Sequence, residues 1–346
     1  MSKSDIENSS DSDTNAVANP VKPTVWQRFR AHMKRWWWCY LIGLGVVVLG
    51  VVLPLVYLGV PHFANSYINN YKYDYEGLSI TNPRPTSFHV RQSKKLSMGG
   101  GFSGSGHLSA FNASCKIPST GEQFAVFPVP TIEFSNGATL DIDQDLEVTC
   151  VDCLAQLAVE AATNQSFRVL VTGTPDLTFG VLPTAHLDIH KMMNMNGYNV
   201  TGEFVNANDA FNVTTVDLLD TPVDGFNVNA TISLRNPTPF IVEMDRVMSH
   251  STSAWGGFDL GYVDLPNLML QQDISSTIVL GNINTSMLVH EAILGSGELG
   301  EVTLDIKGHS CDYNGHEIPY FAAAIKAVQA SATLDLLQYV SSLDSL

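Results

Sequence analysis

Two cysteines, Cys150 and Cys153, have a spacing that can support redox chemistry in this chain of 346 residues. A Cys-x-x-Cys pair suits thiol–disulfide exchange when it lies near a βαβ pattern, and no such pattern is evident around this one. We therefore interpret the two residues as structural, either in a disulfide or as buried free thiols. Cys115 is the nearest candidate disulfide partner for either of them. Cys311 completes an even set of four candidates after residue 60.

Two groups of histidines have the residue types of a metal site. A helix would place His186 and His190 on one face, as zinc binding requires. No Glu directly follows His186 and no third ligand is evident, so we interpret both as surface histidines of a predicted helix. His309, Cys311 and His316 form a second group in a turn, which we assign to loop polarity or to disulfide use of Cys311. The sequence predicts no metal site.

Four acidic residues alternate along a predicted strand and resemble calcium ligands. They are Asp141, Asp143, Asp145 and Glu147. An EF-hand loop needs Gly at its sixth position and Glu at its twelfth, where this chain has Leu146 and Asp152. Because alternate residues of a strand point to the same side, we expect the four carboxylates to share one solvent-exposed face.

A glycine-rich run, Gly99–Gly104, formally matches the G-x-G-x-x-G dinucleotide fingerprint. That fingerprint requires a strand before it and a helix after it, whereas polar residues flank this run on both sides. We interpret it as a mobile loop. The sequence contains neither a P-loop nor a G-x-S-x-G nucleophile elbow. We therefore predict no catalytic residues, no cofactor and no enzyme activity.

The elements that carry these residues begin with a predicted membrane span. Residues 1–35 are a polar tail, predicted to be disordered at its start and basic towards its end. No Lys, Arg, Asp or Glu occurs between Trp36 and Tyr71. A helix over residues 36–60 is long enough to cross a hydrocarbon core of about 30 Å. The segment starts too far along the chain, and is too long, for a cleaved signal peptide.

Charge and glycosylation motifs predict the orientation of this span. Five basic residues lie in residues 22–35, directly before the span, and none closely follows it, so we expect the N-terminus in the cytoplasm. Residues 61–346 carry 12 basic and 30 acidic residues, a net charge of −18, which argues against nucleic-acid binding. Six sequons follow the span and are glycosylation candidates, at Asn112, Asn164, Asn199, Asn212, Asn229 and Asn284. In an oxidising compartment the four candidate cysteines are free to form disulfides.

The part after the span contains an internal repeat. Residues 78–85 match residues 232–239 at a constant offset, including an Asn-Pro pair in each. Three further landmarks follow in the same order: Gly173, Pro183 and Lys191 correspond to Gly308, Pro319 and Lys326. This order predicts a duplication. We place the copies at residues 75–195 and 222–330, followed by an apolar tail at 331–346.

Within each copy the pattern is strand-like. Apolar and polar residues alternate through Phe226–Leu234, and the Asn-Pro pairs are predicted strand ends because proline lacks a donor for the ladder. Helices are predicted around Ala185–Met193 and over Pro319–Gln329, at equivalent positions of the two copies. The predicted fold class is mostly β, with one N-terminal transmembrane helix, two tandem immunoglobulin-like β-sandwiches and a short helix near the end of each.

The run FNVNATISLRNPTPFIVEM, followed by FDLGYVDLPNLML, resembles the late-embryogenesis-abundant type 2, or WHy, family. In that family an alternating strand ends in Asn-Pro, and a later strand carries a Gly-x-x-x-Leu-Pro-like turn, here Gly261–Pro266. With its tail and single span, the chain is similar over about residues 35–330 to fungal membrane proteins of uncharacterised function. The resemblance implies a β-sandwich fold and an endomembrane location such as the vacuolar membrane. It supplies no catalytic residues.

These observations predict a protein that binds and does not catalyse. The leading hypothesis is a membrane-anchored scaffold module that binds protein partners and acts as a vacuolar or endomembrane regulator. The alternative is a lipid-binding or lipid-transfer module. The mostly hydrophobic strand Gly261–Leu270 and the apolar segment Ala332–Leu346 motivate that alternative.

Overall fold

The computed structural model describes residues 25–70, 77–96, 105–134, 138–180, 182–200, 205–206, 211–294 and 300–335. The predicted disordered start of the tail, the glycine-rich run 99–104 and the C-terminal residues 336–346 lie outside the described residues. The chain divides into two units, residues 1–56 and 57–346. We call residues 57–346 the β-rich unit.

The N-terminal part is helical. Helix α1 spans Val25–Pro54, a π-helical turn covers Leu55–Gly59, and helix α2 spans Val60–Asn70. Pro54 removes a backbone donor and crowds the preceding turn, which accounts for the wider π turn directly after it. By length and composition, the helical stretch Trp38–Ser66 can cross a membrane. The prediction of one such apolar helix is confirmed.

After helix α2, the described residues of the first half of the β-rich unit form eleven strands and one helix. They are β1 Leu78–Arg84, β2 Ser87–Leu96, β3 Gly106–Leu108, β4 Phe111–Lys116, β5 Gln123–Val129, β6 Ile132–Phe134, β7 Ala138–Glu147, α3 Val151–Thr163, β8 Ser166–Gly173, β9 Asp176–Phe179, β10 Ala185–His186 and β11 Ile189–Asn196.

The second half has longer strands and two helices. They are β12 Val205–Asn206, β13 Phe211–Val223, β14 Phe226–Asn236, β15 Phe240–Ser253, β16 Asp259–Leu270, β17 Asp273–Ile283, α4 Thr285–Leu294, β18 Glu301–Tyr313, β19 His316–Glu317, α5 Pro319–Ala327 and β20 Gln329–Asp335.

These strands form one large sheet and two small ones. The large sheet has twelve strands, with the main order β12-β20-β18-β15-β16-β17-β14-β13. Strand β1 pairs parallel to β15, and β2 and β7 continue from β1. The small sheets have the orders β10-β9-β3-β6 and β11-β8-β4-β5. The mostly β fold is confirmed, and the β1–β15 pair joins strands of both predicted copies. The copy boundaries at 75–195 and 222–330 stay predictions.

In strand β14 the alternation of apolar and polar residues corresponds to an alternation in burial. Ala230 and Ile232 on one face are buried, whereas Asn229 on the other is exposed. Asp224 and Gly225 connect β13 to β14, both with positive φ (52° and 87°). Two such residues make the tight hairpin turn that matches the twist of the flanking strands.

One predicted helix is wrong and the other is confirmed. The segment predicted as helical around Ala185–Met193 forms β10 and β11, because β11 pairs with β8 over eight consecutive positions. The predicted helix Pro319–Gln329 is α5, with Pro319 in its first turn. Helices α3 and α4 were not predicted.

Candidate ligand cavity and the predicted site residues

The β-rich unit contains an apolar, partly open cavity of about 440 Å³. Its walls come from the inner faces of β14, β15, β16 and β17, from β18 and β20, and from one side of α3 and of α5. Representative lining residues are Leu157, Ile232, Met244, Leu268, Val279 and Ile325. Its volume lies within the range of about 300–1,000 Å³ that is typical of small-molecule pockets.

Small side chains leave this space open. Ala230 on β14, Ala330 and Ala332 on β20, and Ala158 on α3 all line the cavity. Larger side chains at these positions would fill it, because protein interiors are otherwise close-packed. Gly308 on β18 has a different role: a Cβ there would overlap the backbone carbonyl of Ile325, so glycine lets α5 lie close to the sheet.

The lining has almost no charge. Among the described lining residues Arg235 is the one ionisable side chain besides two tyrosines, Tyr198 and Tyr320. Both hydroxyls are satisfied by the protein: that of Tyr198 donates to Asn236 Oδ1 at 2.9 Å, and that of Tyr320 donates to the carbonyl of Arg84 at 3.0 Å. Burial raises the pKa of both tyrosines, so they stay neutral. The interior therefore suits an apolar ligand and disfavours an ionic one.

The second Asn-Pro pair forms a buried polar turn where β14 ends. Asn236 is 2% exposed, and its Oδ1 accepts from the N–H of Thr238 at 3.0 Å and from its hydroxyl at 2.6 Å. Its Nδ2 donates to the carbonyl of Phe240 at 2.7 Å. With the hydroxyl of Tyr198, these contacts give both the oxygen and the nitrogen of the amide group hydrogen-bond partners. Asn236 thus ends the strand as predicted and orders the chain next to the cavity.

The structure joins Cys150 to Cys153 and leaves Cys115 and Cys311 as free thiols. The expected partner, Cys115, is therefore not used. Cys150 precedes the first residue of α3, so the first helical turn brings residues 150 and 153 together, with their Cα atoms 5.3 Å apart. Burial raises the pKa of Cys115 to about 11 and that of Cys311 to about 12. Both free thiols are neutral at physiological pH.

The predicted histidine groups do not form a metal site. His186 is paired with Asp176, and His190 Nε2 lies 3.1 Å from Asp188 Oδ1, so each imidazole has its own carboxylate. In the second group, Cys311 is buried in the core while His309 and His316 are exposed. The described part of the chain contains no group of three or more side chains arranged to hold a metal ion.

The four alternating acids share an exposed face of β7, as predicted. Asp141, Asp143, Asp145 and Glu147 are all exposed. His89 on the neighbouring strand β2 contacts two of them, at 3.0 Å from Asp143 and 2.8 Å from Asp145. Asp143 and Asp145 are therefore paired with a surface histidine of the neighbouring strand.

The six sequon asparagines all have exposed side chains. They lie on β4 (Asn112), after α3 (Asn164), after β11 (Asn199), on β13 (Asn212), on β14 (Asn229) and before α4 (Asn284). The backbone N–H of Asn199 donates to the carbonyl of Asn164 at 3.1 Å, so two of the sequons are neighbours.

Sequence reasoning did not identify the cavity. Its lining residues come from segments as distant as Ile80 and Leu334, and only the sheet pairing brings them together. One local signal was present: Leu154, Leu157, Ala158, Ala161 and Ala162 recur at helical spacing and form the apolar face of α3.

Comparisons with known proteins find similarity to a family over part of the chain only. Residues 122–250, from the start of β5 into β15, match a family described as "Protein of unknown function (DUF3712)". No curated protein matches the chain.

Two solved structures show a distant similarity to this chain. The periplasmic chaperone SfaE is 12% identical, with 74% of this chain and 94% of that chain covered and a TM-score of 0.15. The CupB6 tip adhesin from Pseudomonas aeruginosa is 9% identical, with 76% and 95% covered and a TM-score of 0.15. Similarity at this level carries no argument about the present chain.

Proposed function

We propose that this chain is a single-pass membrane protein whose β-rich unit binds an apolar ligand, the acyl chain of a lipid, in its internal cavity. The observation that carries the proposal is the cavity of about 440 Å³, whose described lining is apolar and has Arg235 as its one charged residue. A candidate membrane span in the same chain keeps such a site near a source of lipid.

The energetics of this cavity favour an alkyl chain. Each methylene moved from water into an apolar interior contributes about 0.8 kcal/mol, so about ten methylenes contribute about 8 kcal/mol before the cost of ordering the ligand. The hydroxyls of Tyr198 and Tyr320 in the lining are already bonded within the protein and gain nothing from a polar ligand. Apolar contact therefore supplies the affinity.

A protein-binding scaffold is the second proposal, and exposed aromatic residues favour it. Trp255, Phe258 and Tyr262 are exposed at the β15–β16 turn and on β16. Exposed aromatic side chains are typical of protein-binding surfaces. Replacing Trp255 and Phe258 by alanine would abolish partner binding if this surface carries the function, and would leave lipid content unchanged.

The proposed setting is a type II protein with a cytoplasmic N-terminus and a glycosylated β-rich unit. The basic residues before the span and the exposed sequons support this orientation. The proposed endomembrane or vacuolar location rests on the resemblance to late-embryogenesis-abundant type 2 proteins. We propose no enzymatic activity for the cavity.

Lipid extraction tests the acyl-chain proposal. The full chain, purified in detergent, is extracted and its lipids are quantified by mass spectrometry. We expect about one acyl lipid per cavity in the wild type and loss of most of it when Ala158→Leu and Ala324→Leu fill the cavity. Ala254→Leu, at an exposed position, is the matched control.

The proposal is contradicted if the amount of bound lipid does not fall when the cavity is filled. Wild-type protein without stoichiometric lipid would exclude lipid binding, as would a filled variant that retains the wild-type amount. Thermal unfolding of each variant shows whether a lost lipid reflects a filled cavity or an unfolded chain.

A further inference from the structure

The Cys-x-x-Cys pair lies in a setting that its sequence did not predict. Strand β7 ends at Glu147, Cys150 is the N-cap of α3, and β8 begins at Ser166 after the helix. The disulfide between Cys150 and Cys153 therefore closes the first turn of a helix between two strands. Reactive cysteine pairs are found at helix N-termini and in this spacing.

The two sulfurs differ in accessibility. Cys150 is half-buried, whereas Cys153 is 7% exposed and belongs to a core cluster with Phe124 and Leu157. An incoming thiolate can reach Cys150 more easily than Cys153. Exchange would therefore begin at Cys150 and release Cys153 as the leaving group.

Local groups favour the products of the complete exchange, in which Cys150 is released as a thiolate. The backbone N–H of Cys153 points at Cys150 Sγ, at 3.2 Å, and the helix dipole places positive potential there. Both stabilise a thiolate on Cys150. Glu122, just before β5, places Oε2 3.8 Å from Cys153 Sγ, where a carboxyl group can exchange a proton with the sulfur that leaves.

We propose that Cys150 and Cys153 form a reversible redox site that exchanges its disulfide with a protein dithiol. A thiolate of the partner attacks Cys150 Sγ, the bond to Cys153 breaks, and its electron pair stays on Cys153 sulfur, which takes up a proton from water next to Glu122. The partner's second thiolate then attacks the partner sulfur of the mixed disulfide and releases Cys150.

The exchange balances without a further oxidant. Two electrons and two protons pass from the partner dithiol to Cys150 and Cys153, and the partner gains a disulfide. The reverse reaction reduces a partner disulfide. This site is independent of the lipid proposal, since it requires no occupant of the cavity.

Redox titration of the full chain in detergent tests the proposal. The protein is equilibrated at about pH 7 with buffers of graded ratios of reduced to oxidised glutathione. Acid then protonates the thiolates and stops exchange, and the free thiols are alkylated with a mass-tagged maleimide. We expect Cys150 and Cys153 to pass together and reversibly between the two states while circular dichroism stays native. A disulfide that is reduced only after the chain is denatured would overturn the proposal.

Two single variants test the order of attack. Cys150→Ser keeps a hydroxyl N-cap for α3, and Cys153→Ala keeps a small apolar side chain in the core. We expect Cys150 in Cys153→Ala to react with glutathione disulfide at least about tenfold faster than Cys153 in Cys150→Ser. The opposite order, with both variants folded, would contradict the assignment of Cys150 as the attacked sulfur.

The role of Glu122 is tested in the otherwise wild-type chain. We expect Glu122→Gln to slow reduction of the disulfide by dithiothreitol by about tenfold, without changing the unfolding midpoint. Glu133→Gln changes an exposed carboxylate elsewhere and serves as the control. An unchanged rate in Glu122→Gln would refute the proton-exchange step.

Discussion

Burial sets the protonation state of two free thiols, Cys115 and Cys311. It raises their pKa from the ordinary 9.0 to about 11 and about 12, and for Cys311 the nearby Asp312 and Glu317 add to the effect. The folded chain therefore holds both thiols neutral at a pH where the unfolded chain ionises them. Their contribution to stability is complete below about pH 9 and is lost as the pH rises towards about 11 for Cys115 and about 12 for Cys311.

We predict that the free energy of unfolding falls above about pH 9, and that the double variant Cys115→Ala, Cys311→Ala has a shallower fall. Urea unfolding at a series of pH values measures both slopes. Burial also raises the pKa of Tyr198 and Tyr320, so these tyrosines likewise lower the free energy of unfolding as the pH rises. Because both proteins contain the tyrosines, the difference between their slopes gives the contribution of the thiols. Equal slopes in variant and wild type would show that these thiols do not set the dependence.

At the scale of elements, sequence patterns predicted the segments whose structure is locally determined. Strand β14 alternates in sequence and in burial, and α5 starts with a proline, which suits a first helical turn. Residues 185–193 have apolar spacing that also fits a helix. Pairing of β11 with β8, which no local pattern reveals, decides in favour of strand.

The candidate sites, too, could be predicted from the sequence only where local patterns determine them. The exposed acids of β7 followed from strand periodicity alone. The cavity did not, because residues from β1 to β20 line it and each looks like ordinary core in the sequence. The redox setting of Cys150 was missed because α3 was not predicted, although its alanines and leucines recur at helical spacing.

Asn236 gives an element-scale prediction, since it ends β14 and orders the turn into β15. We expect Asn236→Ala to lower the free energy of unfolding by about 2–4 kcal/mol, because Tyr198, Thr238 and the Phe240 carbonyl lose their buried partner. Denaturant unfolding of bacterially expressed protein measures the loss. Asn229→Ala, on the exposed face of the same strand, is expected to change it by less than about 0.5 kcal/mol. Equal effects at the two positions would contradict the role given to the Asn236 network.

At the scale of the whole molecule, charge and apolar surface are separated along the chain. The described apolar surface is concentrated in the helical stretch Trp38–Ser66, whereas the segment after residue 60 carries a net charge of −18. The six sequons that follow the span lie in that acidic segment, each with an exposed asparagine. A chain arranged in this way is expected to keep its N-terminus in the cytoplasm and to expose its sequons to the glycosylation machinery.

We predict that the β-rich unit is N-glycosylated in a eukaryotic host and that endoglycosidase treatment increases its gel mobility. Asn164 and Asn199 lie against each other through a backbone hydrogen bond, so a bulky glycan on one hinders modification of the other. We therefore expect Asn164→Gln to raise occupancy at Asn199, while Asn284→Gln, remote in sequence, leaves that occupancy unchanged. Glycopeptide mass spectrometry measures each site. Protein whose mobility does not respond to the enzyme, and whose C-terminus is digested from the cytoplasmic side of intact vesicles, would reverse the proposed orientation.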